Sequence, residues 1–222
     1  MHKTDVAIID YGLGNLYSIK HACEYMGLSV EVTNDPAAVT RAKSVILPGV
    51  GAFGDAMNAL KRLDLVSPLK DVADSDVPLM GICLGQQLLF SSSEEFGAHD
   101  GLGLIPGRVQ YFPVQEIDGR TYKVPQVGWN TINPPKDDPD RWAGTLLEGV
   151  SPGADMYFVH SCHVVPESDE VMLCTTTYGD IAFSSGSFYK NITAFQFHPE
   201  RSGIEGLAVY ANFAKLIHSS EA

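Results

Sequence analysis

Between Val77 and Phe90 the chain passes from a short apolar run to a helical repeat across a single cysteine, and that passage restricts the fold more than any other stretch. Val77 to Ile82 is apolar apart from Pro78 and Gly81, as in a strand covered on both faces. Leu84, Leu88 and Leu89 then recur at helical spacing. A fully buried strand leading straight into a helix belongs to an α/β sheet with helices on its faces. Gly81 and Gly85 flank the turn, so the backbone can bend sharply there without a Cβ collision, as in a G-x-S-x-G nucleophile elbow. Here the nucleophile is the sulfur of Cys83. The unpaired N–H groups of a helix N-terminus favour a thiolate, and the N–H of Leu84 is placed to donate to an oxyanion. A G-x-C-x-G segment alone fits a small apolar cysteine at a strand end equally well, so catalysis requires a base elsewhere in the chain.

The flanking sequence supports an α/β fold. Val6-Ala7-Ile8-Ile9 reads as a buried strand, and Leu16, Ile19, Cys23 and Met26 share one helical face that Gly27 ends. Residues 29–33 alternate as a second strand, Asp35-Pro36 supplies an N-cap and a first helical position, and Val45-Ile46-Leu47 is a third strand. Strands alternating with helices predict a mostly parallel central sheet with flanking helices. Residues 91–97 read as a polar connection, and residues 108–195 as short β-rich pieces forming an extension of the sheet. Ser202-Gly203-Ile204-Glu205 reads as a capping box for a last helix, with Leu207, Ala211, Ala214 and Ile217 inward and a frayed tail beyond Ser219. With no linker in between, residues 1–222 are expected to form one domain.

Pro48-Gly49-Val50-Gly51-Ala52-Phe53-Gly54 contains G-x-G-x-x-G before a helix. A dinucleotide fingerprint needs a second strand ending in an acidic residue about 20 positions on. Residues 69–72 look helical instead, so the segment reads as backbone that approaches a small ligand, and no cofactor is expected. A net charge of −12 opposes contact with nucleic acid or an anionic membrane. Cys23, Cys83, Cys162 and Cys174 are scattered without a C-x-x-C pair, which suits reduced thiols and a cytoplasmic location. The start of the chain has no signal-peptide pattern, and no run approaches about 18 apolar residues.

The missing base lies in Ala194-Phe195-Gln196-Phe197-His198-Pro199-Glu200, where a histidine ends an apolar strand. Pro199 favours an extended His198, which at period two would place His198 and Glu200 on one side. Glu200 can then hold one ring nitrogen and aim the other at the thiol. Cys83, His198 and Glu200 in that order differ from the α/β-hydrolase order, in which histidine comes last. His160, Cys162 and His163 lie close enough in sequence to suggest metal ligands, but on a strand His163 would point away, so no metal site is expected. Cys23 and Cys174 are expected in the interior, and His2, His21, His99 and His218 at the surface or in caps.

Pro48-Gly49-Val50-Gly51, Gly81-Ile82-Cys83-Leu84-Gly85-Gln86-Gln87 and Phe197-His198-Pro199-Glu200 together resemble the class I glutamine amidotransferases. Ile9-Asp10-Tyr11-Gly12-Leu13-Gly14-Asn15-Leu16, Val127-Gly128-Trp129-Asn130 and Phe158-Val159-His160-Ser161 resemble the glutaminase-subunit family of imidazole glycerol phosphate synthase. The resemblance implies hydrolysis of L-glutamine to L-glutamate and ammonia, with ammonia passed to a (β/α)₈-barrel cyclase partner that makes imidazole glycerol phosphate and AICAR in histidine biosynthesis. It also implies Gly51 and Leu84 at the oxyanion site, and Gln87, Glu95 and the His160-Ser161 backbone around the ends of the substrate. The chain departs from the pattern at Gln126-Val127, where His-Met is common, at Cys162, where Tyr is common, and at Gln86, where Met is frequent. Related pairs that amidate cell-surface sugars share the motifs, and a non-enzymatic binding subunit is the alternative of another class.

Overall fold

The computed structural model describes residues 4–219, which leaves His2 and the tail beyond Ser219 outside the described residues. The first half alternates β1 (Val6–Ile9), α1 (Leu16–Tyr25), β2 (Val30–Thr33), α2 (Pro36–Arg41), β3 (Ser44–Leu47), α3 (Phe53–Arg62), α4 (Val66–Ala73), β4 (Leu79–Ile82) and α5 (Leu84–Leu89). Asp35 caps α2, accepting from the Ala37 N–H with Pro36 at the first position. The second half is mainly β: β5 (Phe90–Ser93), β6 (His99–Asp100), β7 (Ile105–Tyr111), β8 (Gln115–Ile117), β9 (Arg120–Tyr122), β10 (Gln126–Ile132), β11 (Ala154–His160), β12 (Cys162–Pro166), β13 (Met172–Tyr178), β14 (Ile181–Tyr189) and β15 (Ile192–Phe195). A 3-10 turn at Pro199–Arg201 leads into α6 (Gly203–Ser219).

One 11-stranded sheet runs β2-β1-β3-β4-β15-β14-β12-β7-β5-β6, with β13 on β14. The contiguous block β2-β1-β3-β4-β15 is parallel, and β14 turns the sheet antiparallel. β1, β3, β4 and β15 therefore end along the same edge, where open α/β sheets place their sites. Alternate strand residues feed two cores. Val6, Ile8, Met80 and Ile82 pack with α1 and α6 residues Ile19, Val209 and Phe213. Ala7, Ile9, Leu47 and Leu79 pack with Val39, Met57, Leu60 and Leu69 of α2, α3 and α4. Each fully buried side chain of this size contributes about 1.5–3 kcal/mol, so the strand ends are held by rigid layers.

The structure corrects the sequence reading in several places. Residues 91–93 are not a loop: β5 pairs parallel with β7 and antiparallel with β6. The inner side of α6 is formed by Gly206, Val209, Tyr210, Phe213, Ala214 and Ile217, and Leu207 and Ala211 are only half-buried. Ser202 does not form the expected capping box, because its hydroxyl donates to His198 O at 2.6 Å and accepts from Tyr157 N at 3.0 Å. His99 is no free surface residue: its ring lies 2.6 Å from where a Gly54 Cβ would stand, which accounts for the third glycine of G-x-G-x-x-G. Cys23 and Cys174 are buried as expected.

Candidate active site

Cys83 follows β4 with φ 57° and ψ −113°, a strained conformation for a residue with a Cβ. Such strain costs about 1–3 kcal/mol and is retained only where the surroundings enforce it. They do so from both sides. Cys83 N donates to Phe195 O of the neighbouring strand at 2.7 Å, and Gln86 N donates to Cys83 O at 3.0 Å. A Cβ on Gly81 would meet Leu89 Cδ1 at 2.7 Å, and one on Gly85 would fall 1.8 Å from Leu47 O. The elbow is thus wedged between β3 and β15, and its glycines are required by close packing.

β15 pairs parallel with β4, Phe195 opposite Ile82, and so carries His198 to the same edge. His198 N donates to Tyr157 O at 2.9 Å. Its Nδ1 meets Glu200 Oε1 at 2.8 Å, with the two side chains 4% and 0% exposed. The expected pairing forms and His198 is extended as Pro199 favours, although residues 199–201 then make a 3-10 turn in place of a period-two continuation. Burial opposes the imidazolium, but neighbouring Cys83 first and then the Glu200 carboxylate outweigh it and raise the His198 pKa. Nε2 is buried and makes no hydrogen bond of good geometry among the described residues. Nδ1 braced by a carboxylate and Nε2 left open is the arrangement of a general base serving a nucleophile.

The thiol has two other polar neighbours. Sγ lies 3.8 Å from Val159 O, and Gln196 Nε2 lies 3.7 Å from Sγ. Gln196 was not singled out from the sequence, yet it is fully buried and its Oε1 accepts from Gln87 Nε2 at 2.9 Å. A glutamine between two apolar residues at the end of a strand was the available signal. Gln87 Nε2 also donates to Cys162 O at 3.2 Å, so its donor end is committed to protein. Glu95 Oε2 accepts the Phe53 N–H at the start of α3 at 2.6 Å, and Cys162 Sγ stands 3.9 Å from Oε1. Burial foremost, then Glu95, pushes the Cys162 pKa up to about 12, which keeps it a thiol.

His160 ends β11, and Ser161 O accepts from Phe112 N at 3.0 Å. Burial pulls the His160 pKa down to about 3, so the neutral ring donates from Nδ1 to Cys162 O at 2.7 Å. His163 does not point away from His160, because the strand breaks at Ser161. Both rings pack on Phe112, with centroids 5.3 and 4.6 Å away. Among the described residues no three His, Cys, Asp or Glu groups converge to hold a metal.

The oxyanion side departs from expectation. Leu84 N–H is not open but donates to Gly49 O at 3.3 Å. Gly51 has φ 109° and is exposed. The peptide that blocks Leu84 joins Gly49 to Val50, so a turn of that peptide would withdraw the carbonyl and present Val50 N–H. Val50 was not singled out from the sequence. Near His198, Arg201 lies over the Tyr157 ring at 4.6 Å, and Trp129 meets Tyr157 edge-on at 6.0 Å.

A strained cysteine beside a carboxylate-braced histidine, at the carboxyl edge of a parallel sheet, is an arrangement suited to thiol-dependent acyl transfer. The glutamine amidotransferase class-I family matches residues 7–216, and the chain belongs to that family. Within it the chain falls among the HisH subunits of imidazole glycerol phosphate synthase. It is 47% identical over 212 residues to the subunit of Moorella thermoacetica, covering 96% of this chain and 95% of that one. It is 41% identical over 218 residues to that of Geobacillus thermodenitrificans, covering 98% and 99%. The fold also matches PurLQS from Thermotoga maritima, with a TM-score of 0.68 at 18% identity over 97% of this chain and 99% of that one. The glutaminase domain of Trypanosoma brucei CTPS with bound acivicin matches with a TM-score of 0.65 at 13% identity over 96% and 93%.

Proposed function

We propose that this chain is the glutaminase subunit of imidazole glycerol phosphate synthase, a single amidotransferase domain of the cytoplasm that hydrolyses L-glutamine and hands ammonia to a (β/α)₈-barrel cyclase. The observation that carries the reading is the buried His198–Glu200 pair at 2.8 Å beside the strained Cys83. His198 takes the Cys83 proton, and the thiolate attacks the carboxamide carbon. The oxyanion is held by Leu84 N–H and, once the Gly49–Val50 peptide turns, by Val50 N–H. His198 returns the proton to the leaving nitrogen, ammonia departs, and a thioester remains. A water that gives its proton to His198 then attacks the thioester, releasing glutamate and restoring the thiol. Glu95 and the 160–161 backbone hold the α-amino and α-carboxylate ends of the substrate, and Gln87 acts through Gln196.

A docked partner answers the fate of ammonia, which in neutral water is mostly the unreactive ammonium ion. The docking face is the β10–β11 ribbon, where Val127 and Trp129 are 60% and 59% exposed beside Tyr157. The relatives' names favour the histidine branch over sugar amidation, and a merely structural role gives no reason to keep the strain at Cys83. The test is the complete complex assayed for glutamate with the pathway's ribulosyl nucleotide present. Cys83→Ala is expected to release no glutamate above background, and release at the parental rate would overturn the reading.

A further inference from the structure

We infer that Tyr11 is a positioning residue of the oxyanion loop: its hydroxyl pins the Pro48 carbonyl, so that the next peptide, Gly49–Val50, is the one that turns. The inference rests on the glutaminase reading of this site and extends it to a residue outside the triad. Tyr11 lies in the loop after β1, 3% exposed, and its hydroxyl donates to Pro48 O at 2.6 Å. That carbonyl belongs to the Pro48–Gly49 peptide, and the Pro48 ring fixes φ on its other side. The segment is therefore rigid up to Gly49. The hydroxyl also lies over Gly49, where a Cβ would stand 2.2 Å from the Tyr11 oxygen and 2.9 Å from Leu84 Cβ.

Beyond Gly49 the restraints change. The Gly49 carbonyl holds only the long 3.3 Å bond to Leu84 N, Val50 is 39% exposed, and Gly51 has φ 109°. The Gly49–Val50 peptide can then rotate about its two flanking bonds without moving Pro48 or a buried side chain. Burial foremost, then the charge of Cys83, raises the Tyr11 pKa, so the phenol stays a donor throughout the working pH range. A tyrosine that only filled space would need no hydroxyl here. With the hydroxyl, the pivot of the loop is set relative to Leu84 N–H and Cys83.

The test compares Tyr11→Phe with the parent in the complete complex by two readouts. Glutamine turnover requires the oxyanion donors. Alkylation of Cys83 by iodoacetamide requires the thiolate and His198 but no oxyanion donor. Tyr11→Phe is expected to lower kcat by roughly 10- to 100-fold, with KM and the alkylation rate within about twofold of the parent. Thermal melting checks that the variant folds. An unchanged kcat for Tyr11→Phe would overturn the inference, as would kcat and alkylation falling in parallel. Failure of the glutaminase reading itself would show separately, as turnover that survives Cys83→Ala.

Discussion

On the β15 side of Cys83 the groups are already assembled: His198 and Glu200 are buried and joined at 2.8 Å. On the β3 side they are not, because Gly49 O occupies the Leu84 N–H at 3.3 Å. The first side is built on adjacent parallel strands and a one-turn bridge, with His198 tied to Tyr157 and Ser202. The second is a glycine-bearing loop with one exposed side chain between its glycines. On the proposed mechanism the difference would locate control: the histidine is already braced, and the Leu84 N–H would wait on one peptide. On the reading proposed above, a glutaminase arranged in this way would spare glutamine until its partner can use ammonia.

The division can be broken from either side, and the largest effect should come from the triad. Glu200→Gln removes the charge that helps keep His198 an imidazolium, so turnover should fall on the order of 10²- to 10⁴-fold. Alkylation of Cys83 should fall with it, unlike the outcome expected for Tyr11→Phe. The effect also has a sign in pH. The raised pKa of His198 gives stability that is full below the ordinary histidine value and is lost as pH rises through the raised one. Melting curves of Glu200→Gln should accordingly lose part of the parent's decline above neutral pH.

Gly85→Ala tests the seam between the two sides. Its Cβ would fall 1.8 Å from Leu47 O, driving the elbow helix away from the loop. A destabilisation of about 2–4 kcal/mol is expected in denaturant unfolding, with turnover reduced more than alkylation. The smallest effect is expected at His160, held neutral with a pKa of about 3. A histidine that folding keeps deprotonated lowers stability as pH falls below its unfolded value of about 6.5. His160→Gln should flatten the loss of stability between that value and about 3 by up to one proton's linkage, read from unfolding at several pH values.

Much of the triad side was legible in the chain. Gly81-Ile82-Cys83-Leu84-Gly85 and His198-Pro199-Glu200 are local patterns, and steric rules for glycine and the pre-proline residue act within a few residues. What stayed hidden depends on distant partners. β14 carries Ser184-Ser185-Gly186-Ser187, which looks too polar for a buried strand. It is buried because Thr176 and Gln86 hydrogen bond to Ser185 and Ser187 at 2.8 and 3.0 Å. The Leu84 N–H could be named as an oxyanion donor from sequence, but its occupation by Gly49 O depends on how β3 and β4 sit side by side. Gln196 was invisible for the same reason, since its role appears only when Gln87 and Cys83 are placed beside it.

The central claim is that the thiol is ready and the loop is not. It is tested most directly by measuring glutamine turnover and iodoacetamide alkylation of Cys83 in the same complex, with and without the cyclase ligand. The account predicts that ligand raises turnover by at least roughly the factor of 10² associated with one oxyanion donor, while alkylation changes by less than about twofold. Alkylation rising in step with turnover would contradict it, by showing that the triad itself is assembled on demand.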